Sequence, residues 1–182
     1  MTPSDDLIAD YLPCFVQLWN PSVPGAVAEF GVYRGKSSKQ LATLTGRKVY
    51  AFDTYAGLPE ADFDPDLDID SPYGFMPEHP SAEMFAGWPF IVPVVGRFAD
   101  TLPKFDPAVR FAFCDLDSDY YESTRQVLDW LPGRLSDGAV LLLDDYKSHK
   151  GVRQAIHEFA EEWALGVKPI ASNGAVVTWK SQ

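Results

Sequence analysis

The sequence predicts an α/β domain on a doubly wound, mostly parallel, seven-stranded sheet that closes with a C-terminal antiparallel hairpin. Three observations predict it. Apolar runs of strand length alternate with amphipathic helical segments. The runs do not alternate in polarity, as strands do when only one face is buried, so both faces of the sheet are covered. The last two runs are separated by Asn173-Gly174, a hairpin turn signal.

In order along the chain, Ser4 reads as an N-cap with Asp5 and Asp6 in the first turn. Leu7, Ile8, Tyr11, Leu12, Phe15 and Leu18 then recur at helical spacing, with Pro13 expected to kink the helix. A loop with Pro21, Pro24 and Gly25 leads to the first strand, 26–30, which stops at Gly31. A helix over 37–44 and a strand over 48–52 ending in Asp53 follow. The segment 54–80, rich in Pro, Asp and aromatics, has no periodicity, and a loop that long within a domain is usually functional or mobile. Strands over 90–95, 109–116 and 139–143 come next, with helices over 122–131 and 151–165, the latter carrying Val152, Ile156, Phe159 and Trp163 on one face. Strands over 168–170 and 175–179 close the chain. Residues 1–25 are expected to form an N-terminal helix and linker and 26–182 the ligand-binding domain, with 54–89 as a substrate lid.

The chain has 182 residues, 46% hydrophobic and 23% charged, which suits one globular domain. A formal net charge of -11 without a Lys/Arg cluster argues against nucleic acid and anionic membrane as partners. Cys14 and Cys114 lie far apart without CxxC spacing, so free thiols are expected. The acidic N-terminus lacks a signal-peptide pattern and no apolar run is long enough for a membrane span, so a soluble, cytoplasmic protein is expected.

In open α/β sheets ligands bind beyond the carboxyl ends of the strands. The turn after the first strand, Glu29 to Ser38, admits three readings. A P-loop needs four residues between its glycines before Lys-Ser, but Gly31 and Gly35 enclose three before Lys36 and Ser37. A dinucleotide fingerprint needs glycine where Tyr33 stands. The third reading is an S-adenosylmethionine site. Gly31 and Gly35 let the backbone approach the ligand, with Tyr33 between them. Glu29 accepts hydrogen bonds from the cationic amino-acid part. Asp53, 24 positions on, lies near the ~20-residue offset at which an acid meets a ribose.

Two later strands also run out into acids: Asp115-Leu116-Asp117-Ser118-Asp119 and, after three leucines, Asp144-Asp145. Crowded carboxylates repel unless a cation or protons intervene, and oxygen donors favour a hard cation such as Mg²⁺. The D-x-D-x-D runs from Asp62 and Asp115 lack the glycine and glutamate of a calcium loop. A solvated, helix-capping role is the competing reading for Asp115 and Asp119.

Taken together, AVAEFGVYRGKSS, AFDTYAGLPE, VVGRFADTLP, DSDYYEST and LLLDDY followed by GVRQAIHEF resemble the macrocin-type sugar O-methyltransferases, in the same order from Ala26 to the C-terminus. The resemblance implies a Rossmann-like class I methyltransferase fold, S-adenosylmethionine and Mg²⁺ as cofactors, and transfer to a hydroxyl of a deoxysugar or other small molecule. It implies cofactor contacts at Glu29, Gly31, Ser37, Asp53 and the turn Gly96–Phe98, metal ligands at Asp117, Asp144 and Asp145, and Asp119 as general base. Asp115 departs from the pattern, standing where the family usually has a basic or polar residue. The family also carries a longer region before the first strand.

His149, just after Asp145-Tyr146, is an alternative base; His79 and His157 are read as structural. The aromatics Tyr55, Phe63, Tyr73, Phe75 and Trp88 suit either a substrate face or a satellite core cluster. Rival functions are a non-catalytic S-adenosylmethionine-binding scaffold and a nucleotide-phosphate enzyme using Gly35-Lys36-Ser37. The expected partners are the small-molecule hydroxyl substrate and a second copy of the chain in a homodimer.

Overall fold

A computed structural model describes residues 12–68 and 81–181. The predicted N-cap at Ser4 and the helical positions up to Tyr11 lie outside the described residues, as do Tyr73, Phe75 and His79.

The sheet has seven strands in the order β3-β2-β1-β4-β5-β7-β6. These are β1 Ala26–Phe30, β2 Val49–Asp53, β3 Ile91–Val95, β4 Phe111–Leu116, β5 Leu135–Leu143, β6 Lys168–Pro169 and β7 Ala175–Thr178. The first five pair in parallel, while β7 runs antiparallel to β5 and to β6. Strand order reverses between β1 and β4, the point where open sheets leave a crevice for ligands. Helices α1 (Leu12–Leu18) and α2 (Lys36–Thr45) cover one face; α3 (Phe98–Thr101), α4 (Tyr121–Trp130) and α5 (Lys150–Glu162) cover the other.

Two apolar layers follow from strand alternation. Ala28, Phe30, Cys114 and Leu116 face α3 to α5 and meet Val127, Leu128, Ile156 and Phe159. Val27, Ala51, Phe113 and Leu142 face α1 and α2 and meet Phe15 and Leu41. Every residue of β4 is buried, which explains why its sequence does not alternate. Burial at the carboxyl ends of β1 and β4 places any polar side chain there in a low-dielectric setting.

Boundaries shift where long-range contacts decide. β5 begins at Leu135, four residues before the expected start, because Leu135 pairs with Phe111 across the sheet. The terminal hairpin forms, but Pro169 pairs with Ala175 and the Ile170 N–H donates to the Gly174 carbonyl, so the connection is a five-residue loop instead of a two-residue turn. Asn173 is thereby released for another role. Among the described residues no helix is long and apolar enough to cross a membrane, and both cysteines are free.

The non-periodic segment is pinned where it is described. Asp62, 3% exposed, ion-pairs with Arg97 and accepts from Ser123 Oγ of α4 at 2.8 Å. Asp68 accepts the backbone N–H groups of Asp64 and Tyr121, and the Gly151 N–H donates to the Leu67 carbonyl at 3.0 Å. These acids therefore bind the loop to the starts of α4 and α5. Phe85 is buried under the second part of the segment, against α2.

Candidate active site

Alternation places the last acids of four strands on one face of the sheet. Glu29 shares its face with Val27, Asp53 with Ala51, Asp115 with Phe113 and Asp144 with Leu142. Glu29 and Asp115 are direct neighbours across the β1–β4 pair. All four are buried, between 1% and 9% exposed. Among the described residues no lysine or arginine forms an ion pair with Glu29, Asp53 or Asp115.

Glu29 accepts hydrogen bonds from Ser37 Oγ on one oxygen and Ser38 Oγ on the other. Burial nevertheless pushes its pKa up to about 7, against the two hydroxyls, and Asp53 adds to the rise. Asp115 is raised well above the usual carboxylate range by burial, then by Glu29 and Asp144. Ser38 was missed in the sequence, although the Ser37-Ser38 doublet in the first turn of a helix was its signal.

Asp53 organises the crevice. Its Oδ2 accepts the N–H groups of Val32 (2.6 Å) and Tyr33 (3.1 Å), and its Oδ1 accepts the Tyr55 N–H at 2.7 Å and Thr54 Oγ1 at 3.3 Å. A ribose hydroxyl must therefore displace the long Thr54 bond or share an oxygen.

The two glycines of the turn are demanded by the chain itself. Gly31 has φ +87°, and a Cβ there would lie 1.6 Å from the Asp117 carbonyl oxygen. A Cβ on Gly35, φ +68°, would meet the Phe85 ring at 2.7 Å. At both glycines a protein group occupies the position a Cβ would take. After β3, Gly96 (φ +136°) donates its N–H to the Asp53 carbonyl. The Phe98 side chain is a core residue, edge-on to Phe30 at 5.9 Å.

Beyond β4 and β5 lies a second group. Asp119, Asp145 and His149 each offer a ligand atom, all within 4.8 Å of one another. Asp117 is exposed. Desolvation by the surrounding protein, then Asp144, Asp119, Asp145 and Asp115, hold its pKa well above the usual range. Asp119 is pushed up to about 7 by burial and then by Asp145, with His149 pulling the other way. The hydrogen bond to Asp145, ahead of the other causes, raises the pKa of His149. The structure thus brings Asp145 together with both candidate bases, while Asp144 faces Asp115 and the α1 side.

Side chains not singled out in the sequence hold Asp145. Asn173 Nδ2 donates to Asp145 Oδ1 at 2.7 Å, and Ser148 Oγ lies 3.1 Å from the same oxygen. Asn173 is 28 positions away, so no local pattern could have revealed it. His157 bonds the Tyr146 hydroxyl, a structural role as expected.

Tyr33, Tyr55, Asp119 and Asp145 all have positive φ, between 47° and 61°. They follow β1, β2, β4 and β5 respectively. Left-handed backbone costs a non-glycine residue on the order of 1 kcal/mol, and four of the five such residues among those described follow these strand ends, the fifth being Ala164.

Comparison with known proteins identifies the family. The family model for macrocin O-methyltransferase (TylF) matches residues 8–180. A Streptomyces olivaceus protein, 8-demethyl-8-(2,3-dimethoxy-alpha-L-rhamnosyl)-tetracenomycin-C 4'-O-methyltransferase, is 29% identical over 92% of this chain and 70% of its own. The demethyldecarbamoylnovobiocin O-methyltransferase of Streptomyces niveus is 24% identical over the same shares. Among solved structures, the O-methyltransferase NovP superposes with a TM-score of 0.74 at 23% identity, covering 93% of this chain and 79% of NovP. The calicheamicin methyltransferase CalS11 gives 0.76 at 23% identity, covering 92% and 78%. The chain belongs to the macrocin O-methyltransferase (TylF) family and is an S-adenosylmethionine-dependent O-methyltransferase.

Proposed function

We propose that the chain methylates a hydroxyl of a sugar or other secondary metabolite, assisted by a divalent cation at the ends of β4 and β5. The observation that carries this reading is the gathering of acids on both sides of the β1/β4 switch point: Glu29 and Asp53 on one side, Asp117, Asp119, Asp144 and Asp145 on the other. The substrate class is supported by a relative whose name specifies a rhamnosyl-bearing molecule and 4'-O-methylation.

Glu29, with Asp115 beside it, takes the cationic amino-acid end of the donor. Asp53 and the backbone from Gly31 to Gly35, with Tyr33 and Ser37, position the adenosyl part, and the Gly96–Phe98 turn closes that side. The donor's sulfonium supplies an electrophilic methyl group for in-line displacement. The donor set of Asp117, Asp144 and Asp145 consists of hard carboxylate oxygens, which suit a dication. A dication such as Mg²⁺ held there would supply Lewis acidity toward the acceptor hydroxyl. Asp119 accepts the hydroxyl proton, and orientation against the methyl group provides the remaining acceleration. Residues 54–89 act as the lid over a domain spanning 26–182.

Titration calorimetry with S-adenosylmethionine, its demethylated product and ATP, each with and without Mg²⁺, tests the reading, followed by methyl transfer to a rhamnosylated acceptor and to a catechol. Binding of both sulfur compounds but not ATP is expected, with turnover on the sugar that stops in excess chelator. ATP binding in their place, or full turnover in chelator, contradicts it.

A further inference from the structure

Asn173-Gly174 marks the hairpin in the sequence, yet the chain does not turn on these two residues alone. The Ile170 N–H closes the loop on the Gly174 carbonyl at 3.1 Å, and Ala175 pairs with Leu143, so the loop lies beside the end of β5. Gly174 permits that approach, because a Cβ there would lie 2.8 Å from the Leu143 carbonyl oxygen. Asp144 and Asp145 follow Leu143 directly.

Lys147 ties the same loop to the residues after β5. Its backbone N–H donates to the Asn173 carbonyl at 3.0 Å, and its Nζ donates to the carbonyls of Ile170 (2.6 Å) and Ser172 (2.7 Å). With the main chain held in this way, the Asn173 side chain turns back toward β5. Its Nδ2 donates to Asp145 Oδ1 and to Ser148 Oγ, each at 2.7 Å. A carboxylate only accepts, so the amide must present its NH₂ group there.

Three side chains meet Asp145 Oδ1, and they are not equivalent. Ser148 Oγ and His149 Nδ1 lie 3.1 Å away and belong to the same turn as Asp145, so they move with it. Asn173 is nearer and comes from the β6–β7 loop, 28 positions on. It therefore anchors the carboxylate to a different part of the sheet. Such an anchor has a strain to resist, because Asp145 has φ +57°, a left-handed conformation that costs about 1 kcal/mol.

We infer that Asn173 is a positioning residue for methyl transfer: it fixes the rotation of the Asp145 carboxylate through Oδ1 and so makes the hairpin loop part of the active site. The inference rests on the metal-assisted reading of that site. A group that orients a ligating carboxylate acts on metal affinity without touching the ion.

The test uses the chelator-treated full chain and calorimetry with MgCl₂ and, separately, with S-adenosylmethionine. Asn173→Ala is expected to weaken Mg²⁺ by about 10–100-fold and to leave the donor Kd within about twofold. Lys147→Met loosens the same loop but keeps the amide, so it should speed hydrogen exchange at 170–174 and shift Mg²⁺ affinity by less than about twofold. In the wild-type protein the side-chain amide resonances of Asn173 should move on adding Mg²⁺, which requires no variant to fold. Unmoved resonances, unchanged Mg²⁺ affinity in Asn173→Ala, a parallel loss of donor affinity, or equal losses in the two variants would overturn the inference and leave the metal-assisted reading intact. Wild-type protein that binds no Mg²⁺ overturns both.

Discussion

Replacing Gly31 with alanine isolates the contact that joins the two halves of the site. The Asp117 carbonyl sits where a Cβ would be, 1.6 Å away, and φ is +87°. Gly46, the C-cap of α2, supplies the control: φ is +61° and nothing lies within 4 Å of its Cβ position. Left-handed strain alone costs about 1 kcal/mol and applies to both. Forcing atoms into packed space adds about 1–3 kcal/mol at Gly31 only. Gly31→Ala should therefore lose about 2–4 kcal/mol and Gly46→Ala about 1. With about 2–4 °C per kcal/mol for a domain of this size, the Gly31 variant melts roughly 6–12 °C lower for a loss of about 3 kcal/mol. Urea denaturation at unchanged slope reads the difference. Because relief of the clash pushes Asp117 away from β1, activity per folded molecule should fall as well. Equal destabilisation of the two variants would refute the steric argument.

Asp119→Asn should lower kcat by about 10²–10⁴-fold while leaving the calorimetric Kd for S-adenosylmethionine nearly unchanged; a matching loss of donor affinity would place Asp119 in the wrong half of the site. Asp144→Asn should likewise abolish turnover with donor binding retained. In the metal- and donor-free protein, Glu29 has a folded pKa of about 7 against 4.5. Its contribution to stability is thus fully present below about pH 4.5 and is lost as pH rises through 7, by up to about 3 kcal/mol. Glu29→Gln keeps an acceptor for one of Ser37 and Ser38 and offers an N–H to the other hydroxyl, and should make stability fall less between pH 5 and 8; parallel urea profiles for the two proteins would exclude the burial cost. Asp62→Ala leaves Arg97 and Ser123 without their partner, so hydrogen exchange across 60–68 should accelerate severalfold, and unchanged protection there would contradict the pinning of that loop.

What could be read directly from the sequence is what depends on local pattern. Apolar runs without alternation announced a sheet covered on both faces, and Glu29, Asp53 and Asp144 were legible as acids at strand ends. Alternation with a period of two even contains their common face, because each follows an apolar residue two positions earlier. The early start of β5 was hidden, since Leu135 is a strand residue only through its pairing with Phe111. The hairpin signal at Asn173-Gly174 pointed to the right element and the wrong turn, because Asn173 spends its side chain on Asp145.

By itself, then, the sequence determined the order of elements, the family pattern and the inventory of acids, all of which rest on residue type and short spacing. Only the tertiary structure decided which acids share a neighbourhood. Asp119, Asp145 and His149 converge because two strand ends turn through left-handed backbone and a helix starts between them, with Asn173 reaching in from a distant loop. Coulomb and ligand interactions act through a few ångströms of space, and separation along the chain says nothing about such distances until the sheet brings its strand ends side by side.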